Sequence, residues 1–262
     1  VIGTAYKWLA FSLIVLVLAV INTIPAHLLV RYLPPELRTG YVEGTAWKGL
    51  AQDVKINDFD LGEVQWHIQP LYLLLGRLQT SVLFNGTLLR GHGDLILKPD
   101  EFGVGNTAVT GEAQLLTPYI AAYGTSVQGS FKLDFETVRA NAEGLQALEG
   151  RLAWQNAQFT SPTALDLGQV DIVFKQRGDV ATATMTNDGN TLTLNGQAEL
   201  KPGWRYSAQL RITPTGSTSE ELTNTLNLLG RPDAQGAVML NHNGSVPISS
   251  ILPFLHVKQT EN

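Results

Sequence analysis

Two kinds of hydrophobic pattern divide the chain. Residues 8–21, WLAFSLIVLVLAVI, are apolar on every side and carry no charge, Pro or Gly. Beyond about residue 44 the apolar positions alternate at period two, as in 64–68, 168–174 and 191–194, which predicts half-buried strands. Asn85-Gly86, Asp188-Gly189 and Asn195-Gly196 read as hairpin or turn signals between such strands. Helical spacing returns briefly. Residues 219–229 place Leu222, Leu226 and Leu229 on one face, after a capping-box pattern of Ser or Thr followed by Glu, and before Gly230 and Pro232. Residues 112–123, with Pro118 inside and Gly124 after, form the counterpart, and residues 70–78 a further short helix.

The first segment predicts a single transmembrane helix whose anchor residues are Trp8, Leu9, Phe11, Leu13, Ile14, Leu16, Leu18, Val20 and Ile21. About 17 residues span roughly 25 Å as a helix, just short of a hydrocarbon core, and residues 26–30 extend it. Lys7 precedes it, so the positive-inside rule places a short stub in the cytoplasm and everything after about residue 32 outside. A cleaved signal peptide is the competing reading, but Ile24 stands where a small residue is needed before Ala26. A buried core helix fits poorly with apolarity on all faces, and a lipoprotein is excluded because the chain has no Cys. Pro34 and Pro35 then predict a stiff, extended exit linker.

Past the linker the sequence resembles itself at an offset of about 106 residues. GTAWKGLA at 44–51 resembles GRLAWQNA at 150–157, and LGEV at 61–64 resembles LGQV at 167–170. Three further blocks follow in the same order: 90–99 with 195–202, 115–124 with 221–230, and 127–134 with 234–241. The expected organisation is therefore a stub and anchor at 1–32, an extended linker at 33–43, a β-rich repeat at 44–140, a second at 141–245 and a tail at 246–262. Each repeat is an antiparallel-sheet module with one helix, which makes the fold class mainly β with a few helices (α+β). No Ser/Pro-rich linker separates the modules, so they can share one sheet.

Composition narrows function by exclusion. With 44% hydrophobic and 16% charged residues the chain can build a core, and with no Cys it builds it without disulfides. Net charge is −5 with no Lys/Arg cluster, so a nucleic-acid footprint is missing. His27, His67, His92, His242 and His256 form no close ligand pair, and His92 with Asp94 is too little for a metal. Gly124 to Gly129 misses a nucleophile elbow by one residue, and there is no P-loop or dinucleotide fingerprint. Asp58, Asp60 and Glu63 read as solvated turn carboxylates. No catalytic, cofactor or metal residues are assigned, and the chain reads as a non-enzyme. Trp47 and Trp154, at equivalent repeat positions, and Trp66, in line with Val64 and Ile68, read as core residues. Arg77 reads as a cation at a helix C-terminus, or as the partner of a carboxylate.

Several of these residues together resemble a known family. Gly44, Trp47 and Gly49 stand in GTAWKG; Trp66, Gly76 and Arg77 stand in VQWHIQP followed by LLLGRL; Gly230, Pro232 and Asp233 stand in LLGRPD with Gly236 beyond. In that order they resemble the type II secretion system protein N (general secretion pathway protein N) family. The resemblance implies a bitopic inner-membrane accessory component of the machine that exports folded proteins from the periplasm. Its periplasmic domain would work with other platform subunits, without cofactor or catalytic residue. A second reading rests on similarity to AsmA-like periplasmic proteins, in which a single anchor precedes repeated β units. That reading makes lipid the partner and requires an open apolar groove.

Overall fold

Strand after strand pairs with its sequence neighbour. The structure is a computed structural model that describes residues 23–28, 30, 33, 35–57, 59–120, 124–161, 164–189, 191–215, 226 and 230–246. The predicted anchor at 8–21 and most of the predicted helix at 219–229 lie outside these residues, as do Asp58 and His256. Among the described residues no helix is long and apolar enough to cross a membrane.

Among the described residues fourteen strands form one antiparallel sheet. They are β1 (Leu37–Arg38), β2 (Val42–Gly44), β3 (Lys48–Ile56), β4 (Phe59–Ile68), β5 (Leu78–Asn85), β6 (Leu89–Leu97), β7 (Glu101–Glu112) and β8 (Ser126–Asn141). Then come β9 (Gly144–Ser161), β10 (Leu165–Arg177), β11 (Val180–Asn187), β12 (Leu192–Lys201), β13 (Arg205–Pro214) and β14 (Val238–Ser245). From β3 to β14 the order in space is the order in sequence, and β1 and β2 both pair with β3. The expected module junction at 140/141 is the turn between β8 and β9, the two longest strands, with Asn141 paired to Gly144. The ladder runs through it without a break.

The alternation read from sequence is the reason for this architecture. Residues 64–68, 168–174 and 192–194 all lie in strands, and Asn85-Gly86 and Asp188-Gly189 make the turns after β5 and β11. Asn195-Gly196 is a correction. It lies inside β12, paired to Arg211 and Leu210, because uninterrupted alternation on both sides outweighs the dipeptide's turn preference. The predicted helix at 70–78 is a 3-10 helix, Pro70–Leu75, started by proline and ended by Gly76 at φ 69°. The segment at 112–123 holds a 3-10 turn, Ala113–Leu116, and a single α turn, Thr117–Ile120, with Pro118 in that turn as expected.

Bulges bend the sheet at related places. Register shifts fall beside Gly62 in β4 and Gly168 in β10. Both glycines have positive φ, 63° and 69°. Each donates its N–H to the carboxylate two residues earlier, Gly62 to Asp60 and Gly168 to Asp166, at 2.9 Å. An L side chain at either site would be strained in this conformation.

Candidate functional site

The register divides the side chains into an apolar and a polar face. On the apolar side Ile172 lies opposite Met185, Met185 opposite Gly196, Gly196 opposite Leu210 and Leu210 opposite Leu240. The next row is Phe174, Ala183, Ala198, Ala208 and His242. These two rows line an open furrow of about 510 Å³ across β10–β14, with a floor of Gly and Ala between taller walls. One end meets a buried cluster around Val170, Leu194, Ile212 and Val238, which Leu226 covers. The other meets Ala140 and Trp204, whose indole N–H donates to Ala142 O at 3.2 Å. Gln197, Gln209 and Asn241 also border the furrow, and at His242 the Tyr206 hydroxyl and His242 Nδ1 share a 2.8 Å hydrogen bond and their rings stack.

The same face continues to β3 and β4, where Ala26, Val30, Leu33 and Leu37 lie over it. They close a second apolar cavity of about 220 Å³ against Ala51, Val64, Trp66 and Ile68. The strap is tied down by Pro25, bridged to Thr45, and by Ala46 N–H, which donates to Ile24 O at 2.8 Å.

The opposite face carries paired charges. Arg151 bonds Asp171, which also accepts from Gln169 Nε2 at 2.7 Å, and the Arg151 guanidinium foremost holds the carboxyl below the ordinary aspartate range. Asp94 accepts from Asn106 at 3.0 Å and Ser81 at 2.7 Å, and these bonds lower its pKa in the same way. His92 shares that face, but Asp94 is already engaged by neutral donors. Among the described residues no group of three His, Asp or Glu gathers as a metal site.

The motif residues singled out from sequence lie in four separate places. Gly44 turns at φ 91° where a Cβ would meet Lys48 O at 2.6 Å. Trp47 precedes β3, and its carbonyl accepts from Ile68 N–H at 2.6 Å. Gly49 lies beneath the Trp66 ring, and the Trp66 N–H donates to Ala46 O at 3.1 Å. Trp154 lies within β9, donates to Gln128 O at 3.0 Å and meets Phe159 edge-on. Arg77 follows Gly76 at the end of the 3-10 helix and stacks over the Tyr72 ring at 4.2 Å. Gly230 and Pro232 lead into the turn before β14, which Asp233 organises. Its carboxylate accepts from Gln235 and Ala237 N–H, each at 2.9 Å, and pairs with Arg211 at 2.5 Å. The Ala237 bond is the largest influence lowering the Asp233 pKa.

Sequence reasoning missed two features. It saw alternation, but not that the apolar face stays open at the furrow. It read residues 70–78 as an ordinary short helix, whereas Leu71, Leu74 and Leu75 are 75%, 84% and 70% exposed. The signal was there in the run LYLLL, which is apolar on every side of a single turn.

Comparison with known proteins agrees with the motifs. The family model described as type II secretion system, protein N matches residues 35–241. A type II secretion system protein N from Vibrio cholerae is 31% identical over 243 residues, covering 88% of this chain and 95% of the relative. Proteins of the same name from Klebsiella pneumoniae and Aeromonas hydrophila are 28% and 25% identical, covering 82% and 85% of this chain and 85% and 91% of the relatives. No solved structure matches. The chain belongs to the type II secretion system protein N family and is a component of that secretion system.

Proposed function

We propose that this component is held in the inner membrane by residues 8–21, with its sheet in the periplasm, and that it contributes to export by binding other secretion subunits rather than by catalysis. The uncharged apolar run after Lys7 supports the anchor and its orientation. The observation that carries the binding role is the open sheet. Its polar face is laced with ion pairs, and among the described residues β14 has a strand partner on one side only. Such an edge is a natural docking strand. Two repeats, 44–140 and 141–245, between the linker at 33–43 and the tail at 246–262, complete the proposed organisation. The matching turns at Asp60–Gly62 and Asp166–Gly168 support them.

Alkaline extraction of membranes together with protease digestion of spheroplasts tests the placement. Retention in the pellet, with the sheet digested only after the outer membrane is opened, is the expected result. Release into the supernatant contradicts the anchor.

The furrow favours a second reading, in which the sheet also handles lipid. Most of its lining is apolar, with Ala183, Ala198 and Ala208 between Ile172, Met185 and Leu240, which suits an acyl chain. Native mass spectrometry of the extracted protein tests it. Bound phospholipid that is lost in Ala198→Trp supports the reading, and a lipid-free wild type contradicts it.

A further inference from the structure

The most exposed apolar cluster of the described chain lies between β4 and β5. In a 3-10 helix residues three apart share a face, so Leu71 and Leu74 point the same way, and both are largely in solvent with Leu75 beside them. A soluble surface tolerates single exposed leucines but rarely three together at a loop tip. Nothing in the fold requires them there. Gly76 N–H to Leu73 O and Arg77 N–H to Tyr72 O close the turn through backbone alone.

The position of this knob relative to the start of the sheet identifies its partner. Ala46 is bonded to Ile24, the next residue Trp47 is bonded to Ile68, and the knob begins two residues later at Pro70. The chain reaches Ile24 three residues after the apolar run at 8–21 ends. The leucines therefore sit at the end of the strands where the anchor enters. The flanking chemistry agrees. Residues 69–78 contain no acidic group, and Tyr72 and Arg77 stack at the base, an aromatic and a long cation of the kind that settle at headgroup level.

We propose that Leu71, Leu74 and Leu75 insert into the outer leaflet interface of the membrane that holds the anchor. This rests on the anchored placement proposed above. The sheet is then fixed to the bilayer at two points, the apolar segment at 8–21 and the leucine knob, and its first strands and the cavity lined by Ala26, Val30, Leu33 and Leu37 are held at the membrane surface. The partner is the lipid surface itself, through acyl chains below and headgroups around Arg77.

The natural absence of cysteine makes the test direct. Leu74→Cys and, as a distant site on β14, Met239→Cys are labelled with an environment-sensitive nitrobenzoxadiazole dye. The full chain is then reconstituted in vesicles of phosphatidylethanolamine and phosphatidylglycerol, with nitroxide-labelled acyl chains as quencher. Quenching at position 74 at least fivefold stronger than at 239 is expected. Equal, weak quenching at both sites in protein that resists alkaline extraction overturns the knob and leaves the anchor standing. Protein released by alkali overturns both. A blue shift at 74 that appears only on adding other secretion subunits assigns the leucines to a protein groove, and also overturns the proposal.

Discussion

Trp66 packs against Gly49, so close that a Cβ on the glycine would stand 2.3 Å from the indole ring. The same indole donates to Ala46 O, and Ala46 in turn holds Ile24. One aromatic ring thus couples the sheet to the strap that follows the apolar N-terminal run. Gly49→Ala must displace the ring, and a cost of about 1–3 kcal/mol is expected, as for other overpacking changes. Urea unfolding measures it. The variant should also expose residues 23–37 to protease at lower urea than the wild type.

The two bulge glycines should behave alike. Gly62→Ala and Gly168→Ala each force an L residue into left-handed backbone, at about 1–2 kcal/mol before any clash is counted. A Cβ would also approach Asn85 O at 2.4 Å in one case and Asp188 Oδ1 at 2.5 Å in the other. Similar losses in thermal unfolding are expected. A loss at one site and none at the other would contradict their equivalence.

Leu226 reaches back onto the furrow's end and is only 4% exposed, among Val170, Leu194, Ile212 and Val238. Leu226→Ala should destabilise the chain by about 2–5 kcal/mol, the range for a large-to-small change in a core. Equilibrium denaturation checks it.

Acid should loosen the polar face first. Asp94, Asp171 and Asp233 all have pKa values lowered in the folded chain below the ordinary aspartate range, by the hydrogen bonds and cations around them. A depressed carboxylate stabilises the fold above its unfolded pKa, and that contribution is lost as pH falls through the folded value. Stability should therefore be flat near neutral pH and fall below about pH 4. Asp233→Asn keeps the shape but loses the charge beside Arg211, so its stability curve should fall less steeply in that window. Urea titrations from pH 6 to pH 2 provide the measurement.

What the sequence made legible was periodicity. Strand content and the turns at Asn85-Gly86 and Asp188-Gly189 follow from local rules, whereas the helix expected over 70–78 stops at Leu75, where Gly76 takes a left-handed conformation. Asn195-Gly196 did not follow them, because its backbone preference was overruled by the strand pairs on either side. Alternation at Leu192 and Leu194 says that one face avoids water, but it does not say whether side chains fill that face or leave a furrow. That depends on how far the bulges bend the sheet, a property spread over many strands. Arg77 was read as a helix-end cation and does follow the 3-10 helix, but its stacking on Tyr72 needed coordinates. The exposed leucines were hidden for the opposite reason, since apolar runs are usually buried.

We propose above that this sheet meets other secretion subunits from a membrane-anchored position. Photo-crosslinking residues at Gln65 and Gln169, both on the polar side of their strands, test it most directly in cells that express the whole machine. Adducts with other subunits of the secretion platform are expected. Adducts with phospholipid or lipopolysaccharide alone, and none with those subunits, would contradict it.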